Sequence, residues 1–247
     1  MIKKYHARAE IDNFQRLCML DLLKSGFGMA RTSDIGQQMR NDIIAGALPF
    51  GARLRIDELA HRYGVSHMPV REALRVLHGE GLVVIEPNRG ARVQSMDRGF
   101  IEDLFDIRSA IETMLAKRAA ERRTQADIAN LQAIEDELEA RVHRGDYLIV
   151  PEANKNFHSA INDAAGNPGA LSIVERHWLL MAALWQRLGV EEGRFPIVID
   201  DHRQLIRAIE RRDATSASVL MGAHIERAKH DLLDRFHEFE QRTGAAA

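Results

Sequence analysis

GVSHMPVREALRVLHGEGLV, residues 64–83, decides how this chain is read. Gly64 supplies a turn, and Ser66 stands where a helix cap is wanted. Val70, Leu74 and Leu77 then recur at i, i+4 and i+7 along one helical face. Arg71 and Arg75, four residues apart, share a face roughly opposite that apolar stripe. Gly81 ends the helix. Beyond it, Leu82 to Ile85 and Ala91 to Val93 read as two short strands around the turn Pro87-Asn88-Arg89-Gly90.

Upstream, apolar spacing predicts a helix through Ile35, Met39, Ile43 and Ile44, closed by Gly46. A loop follows over residues 47–51, then a shorter helix from Ile56 to Tyr63. Three short helices and a β-hairpin make a winged helix-turn-helix, a domain expected over residues 33–95. In such a domain the third helix presents its first turn to the base edges of a major groove. Here that turn offers Ser66, His67 and Met68, with Arg71 and Arg75 behind it. The hairpin tip offers Arg89 and Arg92 around Gly90.

After Val93 the strand signals stop. From about Arg98 to Arg242 the pattern is helical, broken at Gly145-Asp146, at Gly166-Asn167-Pro168-Gly169, and from Gly189 to Pro196, with Asp213 capping the last helix. About six helices in an antiparallel bundle are expected over residues 98–242, so the fold class is mainly α. Residues 1–32 form an N-terminal extension, with helical spacing of Ile11, Phe14, Leu17 and Leu20.

Net charge is −2, which does not advertise a nucleic-acid binder. The excess acidity lies in residues 98–247, with 20 Lys/Arg against 25 Asp/Glu, whereas residues 33–97 balance eight against eight. Any affinity for DNA therefore depends on where the arginines point. A lone Cys18 excludes an intramolecular disulfide and fits a reducing cytoplasm. No apolar run reaches membrane-spanning length, and no apolar segment follows the lysines of Met1 to His6, so neither a membrane span nor a leader is expected.

The 64–83 stretch, with Asp57-Glu-Leu-Ala60 before it and Pro87-Asn-Arg-Gly90 after it, resembles the GntR family of bacterial transcription regulators. The resemblance implies DNA contacts from Ser66, His67, Pro69, Arg71 and Gly90. The family usually carries Arg where His67 stands, and Pro-Gly where Phe50-Gly51 stands. An Arg often found near Asp57 is absent, and Arg55 is placed to substitute.

Residues 98–235 resemble the effector (FCD) domain of the FadR-type subfamily. The resemblance is carried by Asp103-Leu-Phe-Asp-Ile-Arg-Ser-Ala-Ile-Glu112, Asn154-Lys-Asn-Phe-His158, Gly166-Asn167, Asp201-His202, and the run through Asp213, Ala217, Met221 and His224. It implies a metal set of one Asp or Asn and three His: Asn154, His158, His202 and His224. Asn154 and His158 are i, i+4 on one face, His202 and His224 fall on two later helices, and a bundle can converge such side chains. Three imidazoles suit a divalent ion such as Zn²⁺ or Ni²⁺. Asn154 contributes a neutral oxygen where Asp would add a charge. Arg108 matches an arginine of the subfamily, which implies a pairing with the carboxylate of a small organic or sugar acid.

The expectation is a cytoplasmic homodimeric repressor on operator DNA, its affinity set by that acid and a divalent metal. Taken singly, His158 or His202 reads more often as a satisfied core histidine, and Arg108 with Glu112 more often as a surface or interface ion pair. His177, His230 and His237 match nothing. The rival functions are a metal-dependent enzyme and a ligand-binding helical protein whose winged helix meets other proteins. No HExxH, GxSxG or P-loop supports the enzyme.

Overall fold

The computed structural model describes residues 33–87, 89–147, 150–189 and 192–243. The N-terminal extension with its Cys18, and Asn88 of the hairpin turn, lie outside them. The described residues divide into two compact units. One holds residues up to Asp97 together with Leu179–Arg187, and the other holds Arg98–Trp178 and the residues from Leu188 onward.

In the first unit, helices α1 (Ser33–Ile44), α2 (Ile56–Tyr63) and α3 (His67–Gly79) pack with strands β1 (Arg53–Leu54), β2 (Val83–Glu86) and β3 (Gly90–Val93). The sheet order is β1-β3-β2, all antiparallel. The hairpin was expected from sequence. The third strand was not, because two residues in an apparent loop carry no alternation to read. Register pairs Val83 with Val93 and Glu86 with Gly90, which turns Val83 and Val93 inward. Met39, Ile43, Val70, Leu77, Leu82 and Val93 form the fully buried core. Gly64 ends α2 in the left-handed conformation (φ 65°), and its N–H returns to the carbonyls of Ala60 and His61. A side chain there would strain the turn that sets α3 against α2. The end of α2 is also tied to α1, by Tyr63 donating to Asp42 (2.7 Å) and Arg62 pairing with it (2.8 Å).

The second unit contains helices α4 (Arg98–Arg122), α5 (Gln125–His143), α6 (Val150–Ala165), α8 (Phe195–Glu210) and α9 (Ala214–Thr243), with a 3₁₀ turn at Glu192–Arg194. Helix α7 (Pro168–Leu188) contributes residues to both units. The break between α4 and α5 went unread in the sequence. It is a capping box, in which the Thr124 hydroxyl accepts from the Asp127 N–H while the Asp127 carboxylate accepts from the Thr124 N–H. Asp213 caps α9 by accepting from the Ser216 N–H (3.0 Å). Helix α9 packs most extensively on α4, and α6 lies between α4 and α5. Phe195, Leu138, Val150 and Ala153 close one end of this core. Among the described residues no helix is long and apolar enough to cross a membrane.

Candidate metal centre and nucleic-acid interface

Helix α4 buries Ile101, Leu104, Phe105, Leu115, Ala116 and Ala119, and in the same phase it buries Arg108 and Glu112. Helical geometry forces this, since positions 101, 104, 108, 112 and 115 fall along one stripe. Arg108 Nε donates to Glu112 Oε1 at 2.8 Å, with both side chains withdrawn from solvent. The surface reading of this pair is therefore corrected: it is a core pair. Its guanidinium lies over the Trp178 ring at 4.5 Å and over Phe105 at 5.3 Å.

Three imidazoles meet beside it. His158 on α6, His202 on α8 and His224 on α9 are all buried, and each offers a ring nitrogen within 4.8 Å of the others. Each ring is held from behind by a carboxylate. His158 Nδ1 bonds Glu112 Oε2 (2.6 Å), His202 Nδ1 bonds Glu135 Oε2 (2.7 Å), and His224 Nδ1 bonds Asp201 Oδ2 (3.1 Å). A carboxylate at Nδ1 fixes the N–H there and leaves Nε2 as a bare lone pair. The Nε2 atoms of His158 and His224 then face each other at 3.2 Å, while His202 Nε2 has no partner among the described residues. Lone pairs so directed suit a cation between them. His202 also stacks flat on Phe157, with ring centroids 3.9 Å apart, which fixes its plane.

The charges around these rings are unequally balanced. Burial raises the Glu112 carboxyl, but Arg108 and His158 hold it down at about 2. Asp201 is likewise held low, its burial outweighed by His224 and by Arg227, whose Nε reaches it at 3.0 Å. Burial lowers His158 and pushes His224 down to about 3, so both are neutral donors at ordinary pH. Glu135 pairs with His202 and with no Lys or Arg among the described residues, and its Oε1 has no hydrogen-bond partner there. A buried carboxylate in that position is costly unless a positive charge lies beyond the histidine it orients. The donor set thus fits a divalent metal on charge as well as on chemistry.

Of the residues expected at this centre, His158, His202 and His224 are brought together, and Arg108 shares Glu112 with His158. Asn154 stands half-buried one turn before His158 on α6. The sequence reading passed over Glu135, Arg227 and Trp178, and quoted Asp201 only as part of a motif, with no role of its own. Glu135 lies in a run of acids, Glu135-Asp136-Glu137-Leu138-Glu139, and only its phase with Ile128, Leu131 and Leu138 shows that it points inward. His177, set aside in the sequence, is buried, and its pKa is lowered by that burial and by Arg108.

In the first unit, Arg55, Ser66, His67, Met68, Arg71, Arg75, Arg89, Gly90 and Arg92 are all exposed, and Pro69 is half-buried in the first turn of α3. Ser66 takes the N-cap position with extended backbone (ψ 172°), but its side chain makes no capping bond. This corrects the expectation that its hydroxyl caps α3, and leaves that hydroxyl for another partner. The positive charges differ in their freedom. Arg75 pairs with Glu72 (2.6 Å), Arg55 with Glu58 (3.0 Å), Arg92 with Glu86 (3.3 Å), and His67 approaches Asp57 (3.0 Å). Arg71 and Arg89 form no ion pair with any described residue, so their guanidinium groups remain open to phosphate.

Comparison with known proteins agrees with both halves. The model of the "Bacterial regulatory proteins, gntR family" matches residues 31–93, and that of the FCD domain matches residues 103–227. The HTH-type transcriptional repressor GlaR of Escherichia coli is 33% identical over 199 residues, covering 76% of this chain and 89% of that protein. The Uxu operon regulator of Haemophilus influenzae is 29% identical over 220 residues, 81% of each chain. Among solved structures, E. coli McbR/YncC superposes with a TM-score of 0.67 at 23% identity, covering 85% of this chain and 100% of that one.

Proposed function

Because the chain belongs to the GntR family of bacterial regulatory proteins and joins its helix-turn-helix to an FCD domain, we propose that it is a cytoplasmic repressor, homodimeric on operator DNA, released or retained by a small organic or sugar acid. It is a DNA-binding transcription regulator with an effector domain, not an enzyme. The finer reading concerns what the effector domain holds and how the DNA is met.

In the proposed reading His158, His202 and His224 hold a divalent ion such as Zn²⁺ or Ni²⁺, and Asn154 stands ready to add an oxygen. The observation that carries it is the triple pairing, in which three converging imidazoles are each oriented by a buried carboxylate. A bound divalent cation supplies an electrophilic centre that attracts an anionic ligand. The chain's own groups do the rest. Arg108 offers its guanidinium to the ligand's carboxylate, and Trp178 and Phe105 on its flanks keep water from screening that charge. Support for an acid as effector comes from Arg108 lying in the core beside the imidazoles with only its Nε engaged by Glu112, which leaves the rest of the guanidinium fork for a ligand carboxylate.

On the DNA side, α3 is proposed to enter the major groove with Ser66, His67 and Met68 leading, while Arg71 and Arg75 reach phosphate or guanine. Arg89, Gly90 and Arg92 of the hairpin meet the backbone or minor groove, and Arg55 and Pro69 flank them. One winged helix reads few base pairs, so two are needed for useful specificity. Repression follows the repressor GlaR.

Elemental analysis of purified protein tests the metal, with one divalent ion per chain expected in wild type and none in His158→Ala or His224→Ala. Wild type without metal removes that half of the reading. A gel shift on the DNA upstream of the chain's own gene tests the other half, with salt-sensitive, sequence-specific retardation expected and its absence fatal.

A further inference from the structure

The three carboxylates behind the imidazoles are not equally enclosed. Glu112 with His158, and Glu135 with His202, have side chains wholly withdrawn from solvent. Asp201 keeps 10% of its side chain exposed and His224 keeps 4%. The His224–Asp201 bond is also the longest of the three, 3.1 Å against 2.6 and 2.7 Å. The centre therefore comes nearest to solvent at one corner, where α8 and α9 bring these two residues together.

That corner opens on a cavity of about 230 Å³, whose lining includes Arg194, Ile197, Asp201, Arg227 and Asp231. At about 30 Å³ per water, it has room for a cation with several of its waters. Its charged side chains form two ion pairs. Arg194 holds Asp231 at 2.6 Å, and Arg227 holds Asp201 at two points, Nε to Oδ2 (3.0 Å) and Nη2 to Oδ1. The two arginines differ in freedom. Arg194 keeps 19% of its side chain exposed, whereas Arg227 keeps 45% and can turn into water with its charge hydrated. Arg227 stands one turn after His224 on α9, and both donate to Asp201 Oδ2. One oxygen is thus shared between the guanidinium facing the cavity and the ring facing the centre. The Nε2 of that ring points away from Asp201. An ion in the cavity reaches it only if the ring turns, and the ring turns only if Asp201 yields.

We infer that the divalent ion enters and leaves the centre through this cavity, with Arg227 as the latch: its two-point hold on Asp201 keeps the His224 ring in place, and its release lets carboxylate and imidazole swing together to meet the ion. With the guanidinium turned out, Asp201 offers the entering cation negative charge along its path. Arg227 is a positioning residue that sets how fast the ion exchanges, and is not itself a ligand. This inference rests on the metal reading above.

The test is stopped-flow zinc exchange on the full chain, stripped of metal by dialysis against dipicolinate. Uptake is followed by competition with a fluorescent zinc indicator, and release by transfer to an excess of a chromogenic chelator. In Arg227→Met both rate constants are expected to rise at least about fivefold, the factor carried by one partly exposed, two-point ion pair. The dissociation constant should change less than about threefold, since both directions share the same latch. Loss of a positive charge by itself acts differently, speeding uptake and slowing release, because the cation is then held more strongly. Arg227→Lys keeps the charge but has a single anchoring atom. Both rates should rise at least about twofold in it, and it serves if the Met variant does not fold. Arg203→Gln breaks the pairs with Asp136 and Glu139 beside His202 and Glu135, and should leave both rates within about twofold of wild type. Rates that stay unchanged or move in opposite directions in Arg227→Met overturn the inference while leaving the metal reading in place. So does an equal acceleration in Arg203→Gln. Failure of the wild-type chain to take up zinc overturns the metal reading together with the inference.

Discussion

Arg75 and Glu72 form their 2.6 Å ion pair in solvent on α3, whereas Arg108 and Glu112 form a 2.8 Å pair of nearly the same spacing with both side chains out of water on α4. By residue type and spacing the two look alike, each an Arg and a Glu one turn apart on a helix. Their neighbours decide the difference. Arg75 lies outside the phase of Val70, Leu74 and Leu77, and Arg108 lies within the phase of Ile101, Leu104 and Leu115. A charge facing out costs the fold almost nothing and stays free to meet a phosphate. A charge facing in must be matched group by group, and the matching then orients the histidine next to it.

The comparison predicts its own largest effect. Glu112→Ala leaves Arg108 buried without a counter-ion and His158 without its Nδ1 partner, and should lower unfolding stability by about 3–5 kcal/mol. Glu72→Ala should cost about 1 kcal/mol or less, since an exposed pair is screened by water and salt. Urea denaturation of both variants is the check, and equal losses would erase the distinction. The next effect sharpens it within the bundle. Glu135→Gln keeps an acceptor for His202 but removes the charge behind it, and metal affinity should fall about 10- to 100-fold. Competition against a fluorescent zinc chelator measures this. An unchanged affinity would show that the carboxylates merely fill space.

Legibility followed the same divide. The winged helix was readable because its determinants are contiguous, with Gly64, Ser66, Val70, Arg71 and Leu74 within a dozen residues and local geometry fixing the rest. Only the two-residue strand Arg53–Leu54 escaped, being set by its pairing to β3 and not by any pattern of its own. The three histidines were picked out of eleven by the family resemblance, which the chemistry of imidazole supports. Glu135 went unread and Asp201 was quoted without a role, since an acid on a helix is ordinary until the helix opposite is known. Partners separated by 46 to 67 residues, as His158–Glu112 and His202–Glu135 are, leave no mark in a local window. The phase of Glu135 with Leu131 and Leu138 was the one available hint.

The exposed half yields smaller effects, because solvent shares the work. Arg71→Ala should weaken operator binding about five- to tenfold and lower the salt dependence of log K by about one ion, with melting temperature unchanged. Arg75→Ala should do less, since Glu72 already engages that guanidinium and its release offsets part of the loss. The smallest effect concerns His67, which stands where the family usually has Arg and lies 3.0 Å from Asp57. Exposed as it is, the ring contributes a full positive charge to DNA only when protonated, and Asp57 competes with phosphate for it. His67→Arg replaces it with a permanent charge and a longer reach, so affinity should rise about two- to fivefold at pH 7.5. Fluorescence anisotropy on upstream DNA resolves a change of that size. A loss of affinity would mean that His67 reads a base edge and not a phosphate, a contact that the longer guanidinium does not reproduce.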